Sequence, residues 1–169
     1  SVPDIEIGDY LPVKEARRMD GFIQLGMVSG IQAMNDAGLE ITDANRHRAG
    51  VAVGSGIGGI VTIEACHDVV RERGPGRVSP FFVPSCIINM LAGHLSIRYG
   101  LQGPNIAITT ACTTGTHNIG FAARLIQHGD VDVMLAGGAE KSTGPTTMAG
   151  FAAMKALSTR NDDPERASR

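Results

Sequence analysis

The sequence predicts a layered α/β fold from three observations: an apolar strand running into a glycine-rich turn, a strand–helix–strand unit further along, and helices with one apolar face. Its 169 residues, 43% of them hydrophobic, suffice for one core and fit a single domain or part of a larger one.

In chain order, the spacing predicts a helix over 13–37, because Met19, Phe22, Ile23, Met27, Ile31 and Met34 recur at helical intervals and Gly38 supplies a stop. Positions 49–53 read as a short buried strand that enters Gly54-Ser55-Gly56-Ile57-Gly58-Gly59, and 60–71 as the helix beyond it. Ser79-Pro80-Phe81-Phe82-Val83-Pro84 is an apolar loop. A buried helix follows over 87–99, with Ile88, Leu91, Ala92, Leu95 and Tyr99 on one face and Gly100 as cap. Strand 105–110, helix 114–128 and strand 131–136 then make a βαβ unit, for which parallel pairing and a right-handed crossover are expected. Ile119, Ala122, Ala123 and Ile126 share the helix face predicted to lie on the sheet. Positions 137–157, rich in small residues, should hold loops and one helix, and the polar run 160–169 is either a frayed tail or an interrupted loop.

The net charge of −2 argues against general nucleic-acid affinity, which needs a positive surface to displace counterions from phosphates. Three widely spaced cysteines, Cys66, Cys86 and Cys112, fit neither a disulfide framework nor paired zinc ligands. No apolar run approaches the roughly 20 residues needed to span a bilayer, and Ser1-Val2-Pro3-Asp4 has no signal-peptide character, so a soluble cytoplasmic protein is expected.

The 54–59 run satisfies G-x-G-x-x-G after a strand, which raises a dinucleotide site. The context argues against it. A second strand ending in an acidic residue should follow about 20 positions on, whereas 66–73 is charged and helical in pattern, ending at Gly74-Pro75-Gly76.

Cys112 falls where a buried strand gives way to a helix, in Ile108-Thr109-Thr110-Ala111-Cys112-Thr113-Thr114-Gly115. A sharp turn there would lift the thiol out of the sheet, and a helix N-terminus favours thiolate over thiol. Cysteine is also a small hydrophobe that is commonly buried. The residue pattern alone leaves both readings open.

The segment Thr109-Thr110-Ala111-Cys112-Thr113-Thr114-Gly115-Thr116-His117-Asn118-Ile119-Gly120 resembles the active-site segment of beta-ketoacyl-acyl carrier protein synthases, most closely type II. The 54–59 and 79–84 runs, Gly100-Leu101-Gln102-Gly103-Pro104-Asn105, Asp132-Val133-Met134-Leu135-Ala136-Gly137-Gly138-Ala139-Glu140 and Ala156-Leu157-Ser158-Thr159-Arg160-Asn161 resemble the same family in the same order. That resemblance implies a thiolase-like layered fold with Cys112 as the acyl acceptor. An acyl group would pass from acyl carrier protein to Cys112 as a thioester, and the carbanion of decarboxylated malonyl-carrier protein would attack it. The Cys112 N–H would contribute to the oxyanion hole. Neither cofactor nor metal is implied.

The resemblance further implies that Ile57, Phe82 and Phe151 line the acyl pocket, with Ile57 limiting the chain length there and Phe82 contributed by the partner subunit of a homodimer. Lys14, Arg17 and Arg18, spaced for one exposed helix face, match positions that dock the acidic carrier, and Arg77 and Lys155 are expected on the same surface. For each residue ordinary core packing or a solvated face is the competing reading. Thr146-Thr147-Met148-Ala149 departs from the more glycine-rich family pattern, which leaves chain-length preference open.

In this family two histidines and a lysine of the C-terminal half complete the site. His47, His67, His94, His117 and His128 match none of the family's catalytic histidine motifs and are assigned structural roles. Positions 1–169 are therefore expected to be a partial N-terminal half, beginning after the family's first strand and unable to condense alone. A polyketide ketosynthase, a non-catalytic chain-length or dimerisation partner, and an unrelated cysteine hydrolase are the competing functions; an intact Cys112 argues against the second, and the want of a Cys-His signature against the third.

Overall fold

The computed structural model describes residues 5–168. Its centre is a parallel sheet of β1 (Ala49–Gly54), β2 (Asn105–Ile106) and β3 (Val133–Gly138), in the order β2-β1-β3. β1 pairs in register with both neighbours, Val51 opposite Asn105 and Leu135. All six β1 residues are buried, which accounts for their unbroken apolar character in the middle of a covered sheet.

The helices are α1 (Val13–Ala16), α2 (Gly21–Ala37), α3 (Ile60–Arg73), α4 (Phe82–Cys86), α5 (Met90–Tyr99), α6 (Thr114–Gln127) and α7 (Pro145–Ala153). Ala49, Val51 and Val53 point into one core with Phe22, Ile23, Met27 and Ile31 of α2 and Leu91, Ala92 and Leu95 of α5. The intervening positions of β1 carry little or no side chain. A Cβ at Gly54 would collide with the Ile108 carbonyl and crowd Thr114 and Asn118, so α6 packs close on the opposite face. The result is a helix–sheet–helix sandwich.

The helix predicted over 13–37 is two helices. Asp20 interrupts it because its carboxylate is engaged elsewhere: Oδ1 accepts the Phe22 N–H at 3.1 Å, capping α2, while Oδ2 accepts the Thr62 N–H at 3.0 Å and hydroxyl at 2.6 Å. The apolar face from Met19 to Met34 is nonetheless buried as expected. The 79–84 loop holds the start of α4, and the strand predicted over 105–110 pairs only at Asn105–Ile106. The βαβ unit is present, but β2 and β3 flank β1 instead of pairing with each other.

The inward face of α6 also differs from expectation. Thr114, Asn118 and Ala122 are buried, whereas Ile119 is 56% exposed and Ile126 42%. Small side chains allow the close approach to Gly54, and the buried Asn118 supplies hydrogen bonds that an isoleucine cannot.

Candidate active site

Cys112 lies in a single 3-10 turn, Ala111–Thr113, between the end of the sheet and the first turn of α6. Its side chain is exposed. The turn is sharp enough to force Ala111 to φ +53°, a left-handed conformation that costs an L-residue about 1–2 kcal/mol. Such strain persists only where the surroundings over-determine it.

Asn118 provides that restraint. Fully buried, its amide Oδ1 accepts the Ile108 N–H at 3.1 Å, and its Nδ2 donates to the Ile108 carbonyl at 3.0 Å and the Thr114 carbonyl at 2.9 Å. One side chain thus replaces a neighbouring strand for Ile108 and ties the segment after β2 to the helix. Three hydroxyl contacts complete the elbow. The Thr114 hydroxyl accepts the Thr110 N–H at 2.9 Å, the Thr113 hydroxyl donates to the Thr110 carbonyl at 2.7 Å, and His117 Nδ1 lies 2.7 Å from the Thr110 hydroxyl. His117 is therefore engaged in bracing the turn.

Cys112 opens onto a cavity of about 520 Å³ whose walls include Ile57, Ala111, Ala139, Glu140, Ser142 and Phe151. Ile57 and Phe151 thus line the same cavity as Cys112. The 54–59 turn forms part of its wall, and no strand separates it from Asn105 among the described residues, so the second strand of a dinucleotide unit is missing. Of the cavity residues, Glu140 and Ser142 were not singled out from the sequence. Glu140 closed a family-like segment, but nothing in its spacing marked it as reaching back to 57.

Phe82 of this chain lies elsewhere. It lines a second cavity of about 300 Å³ together with Arg17, Arg18, Arg77, Thr62 and Cys66. The three arginines have no carboxylate partner among the described residues, where the ion pairs involve Arg46, Arg48, His67 and Arg166. Arg18 stacks over Phe81, its guanidinium carbon 4.1 Å from the ring centroid. Lys14 and Lys155 do not line this cavity; Lys155 is exposed beyond the end of α7 with φ +56°.

A parallel sheet followed by an exposed cysteine at a strained strand-to-helix turn, beside a mainly apolar cavity, places the protein in the α/β class whose sheet ends in a sharp elbow. The chain belongs to the beta-ketoacyl synthase family: residues 9–169 match the beta-ketoacyl synthase N-terminal domain. It is 62% identical over 168 residues to 3-oxoacyl-[acyl-carrier-protein] synthase 2 of Vibrio harveyi, covering 99% of this chain and 40% of that protein. Against the Coxiella burnetii protein of the same name the identity is 54%, over 41% of its length. The chain thus spans about two fifths of the curated relatives it matches. Among solved structures, a beta-ketoacyl synthase from Burkholderia phymatum superposes with a TM-score of 0.84 at 30% identity, over 99% of this chain and 41% of that one. A ketosynthase complex described as a type II polyketide acyl-carrier protein with its ketosynthase bound to the hexaketide gives 0.84 at 25% identity, over 92% and 45%. The fold is accordingly the thiolase-like layered fold of ketosynthases, in its N-terminal, cysteine-bearing part.

Proposed function

We propose that the whole protein of which this chain is a part is a condensing enzyme of fatty acid elongation, with Cys112 as its acyl acceptor. The observation that carries this reading is the exposed thiol on a braced elbow, opening onto an apolar cavity that also holds Ile57 and Phe151. Cys112 sulfur attacks the thioester carbonyl of acyl-carrier protein, the carbon–sulfur bond to the carrier breaks, and the carrier thiol leaves with the proton. The acyl chain lies in the cavity against Ile57 and Phe151. Ahead of the first turn of α6, N–H groups lack intrahelical acceptors, and the Cys112 N–H is one that can meet the oxyanion. Malonyl-carrier protein then loses carbon dioxide, and the resulting carbanion takes the acyl group to give 3-oxoacyl-carrier protein, freeing Cys112.

Carrier docking falls to Lys14, Arg17, Arg18, Arg77 and Lys155, and the grouping of Arg17, Arg18 and Arg77 around one cavity, without acidic partners among the described residues, supports the part of those three. The protein works as a homodimer in the cytoplasm, with Phe82 of each subunit serving the other's acyl pocket. No helix among the described residues is long and apolar enough to cross a membrane. The 1–169 chain does not condense by itself, since the decarboxylating histidines and lysine belong to the second half. A polyketide ketosynthase is the second reading, favoured by the fold likeness to the polyketide complex; the much higher identity to the fatty acid synthases weighs against it.

The test is mass spectrometry of the full-length enzyme after incubation with acyl-carrier protein, alongside Cys112→Ala. An acyl adduct confined to the Cys112 peptide and lost in the variant is expected. An active, folded enzyme without that adduct would overturn the assignment.

A further inference from the structure

We infer that Glu140 is a positioning residue that sets the wall of the acyl cavity, and with it the acyl chain length accepted, by holding Ile57. The inference rests on the proposed acyl-transfer reading and extends it to a residue outside the nucleophile and its elbow.

The geometry begins where the sheet ends. β1 and β3 pair up to Gly54 opposite Gly138, and the Ala139 N–H donates to the Gly54 carbonyl at 3.0 Å. Beyond that bond the two backbones diverge, and the Glu140 side chain spans the gap. Its Oε2 accepts the Ile57 N–H at 2.8 Å, and its Oε1 accepts the Ser142 hydroxyl at 2.5 Å. Both carboxylate oxygens are therefore occupied by protein donors. That matters in a cavity whose other walls are mainly alanine, glycine, isoleucine and phenylalanine, because an unpaired carboxylate beside an acyl chain would oppose its binding.

A second observation comes from Gly56. An added Cβ there would stand 2.9 Å from Glu140 Oε2 and 3.2 Å from the Ala111 carbonyl. The glycine leaves the space through which the carboxylate reaches the Ile57 N–H. Residue 56 is thus bare so that residue 140 can hold residue 57. Ile57 itself is 43% exposed and lines the cavity, and while Ser55 Oγ and the Cys86 carbonyl hold the turn at Gly58 and Gly59, the Glu140 carboxylate is the group that holds the Ile57 N–H.

The experiment uses the full-length enzyme and measures single-turnover acylation of Cys112 by carrier protein bearing a six-carbon or a fourteen-carbon chain. Glu140→Ala should raise the long-to-short rate ratio by about 10-fold, the low end of what one methylene commands in an apolar pocket. Glu140→Gln keeps an acceptor for Ile57 and a partner for Ser142, and should hold the ratio within about 2-fold of the native enzyme. Ile57→Ala, which removes the wall itself, should move the ratio in the same direction as Glu140→Ala. If Glu140→Ala does not fold, Glu140→Asp decides, since the shortened side chain no longer reaches the Ile57 N–H and should raise the ratio by a smaller factor. An unchanged or lowered ratio, or an equal fall for both chains, would overturn the inference while leaving Cys112 as acceptor. Failure of the native enzyme to acylate at Cys112 would overturn the function reading first, and this inference with it.

Discussion

Asn118 offers Ile108 what a neighbouring strand would offer, an acceptor and a donor at backbone spacing, and it does so from inside a helix. Its loss leaves the N–H and the carbonyl of half-buried Ile108 without these partners. Asn118→Leu, close in volume, should therefore destabilise the protein by about 3 kcal/mol, read as a shift in urea midpoint at unchanged slope. Ala111 is constrained differently: its φ of +53° suits glycine, is strained for alanine and is an outlier for β-branched residues. Ala111→Val should cost about 2 kcal/mol and slow alkylation of Cys112 by iodoacetamide, whereas Ala111→Gly should lie within about 1 kcal/mol of the native protein. Cys112 was legible as a candidate because strand and helix patterns meet there. Asn118 was not, because periodicity sorts residues by hydrophobicity, and at this elbow backbone hydrogen bonding takes precedence over the burial of Ile119 and Ile126.

At the scale of elements, α2 and α5 approach closely because glycine faces leucine at two levels. A Cβ on Gly26 would run into the Leu91 side chain, and one on Gly30 into Leu95. Gly26→Ala should cost about 1–3 kcal/mol through overpacking. Leu91→Ala should cost about 2–5 kcal/mol. Together they should cost less than their sum, because the new methyl fills part of the space vacated, and thermal unfolding of the four proteins would measure that coupling. Burial on α5 also pushes His94 below its ordinary imidazole value of 6.5, with Glu15 opposing. The unfolded chain therefore binds a proton more readily, so the stability contributed is full above that value and is lost as pH falls through it toward the lower folded one. His94→Gln should flatten the fall in melting temperature between about pH 7.5 and 5.5. The apolar faces of α2 and α5 were readable from spacing alone. The break at Asp20 was hidden because Met19 and Phe22 keep helical spacing across it; Asp20 ahead of Gly21 is an N-cap signal, outweighed by that periodicity.

Over the whole molecule, charge is arranged more sharply than the net −2 suggests. Arg17 and Arg18 follow α1 and Arg77 follows α3, yet all three surround one cavity. Their grouping followed from tertiary structure, which sequence spacing could express for Arg17 and Arg18 but not for Arg77. Converting the three to Glu in the full-length enzyme should weaken carrier binding and flatten its dependence on salt between about 50 and 300 mM, measured by titration calorimetry. Equal affinity at low salt would place the carrier elsewhere.

The sheet order β2-β1-β3 carries a consequence for synthesis. The most buried strand is also the first of the three to leave the ribosome, and its far neighbour begins 84 positions later, the separation of the Arg48–Asp132 ion pair that joins the two strand starts. At about 5–20 residues per second, β1 waits on the order of 4–17 s with an unpaired apolar edge. The nascent chain is thus most adhesive during that interval, and a pause in translation between positions 54 and 133 would lengthen its exposure to chaperones and to other nascent copies.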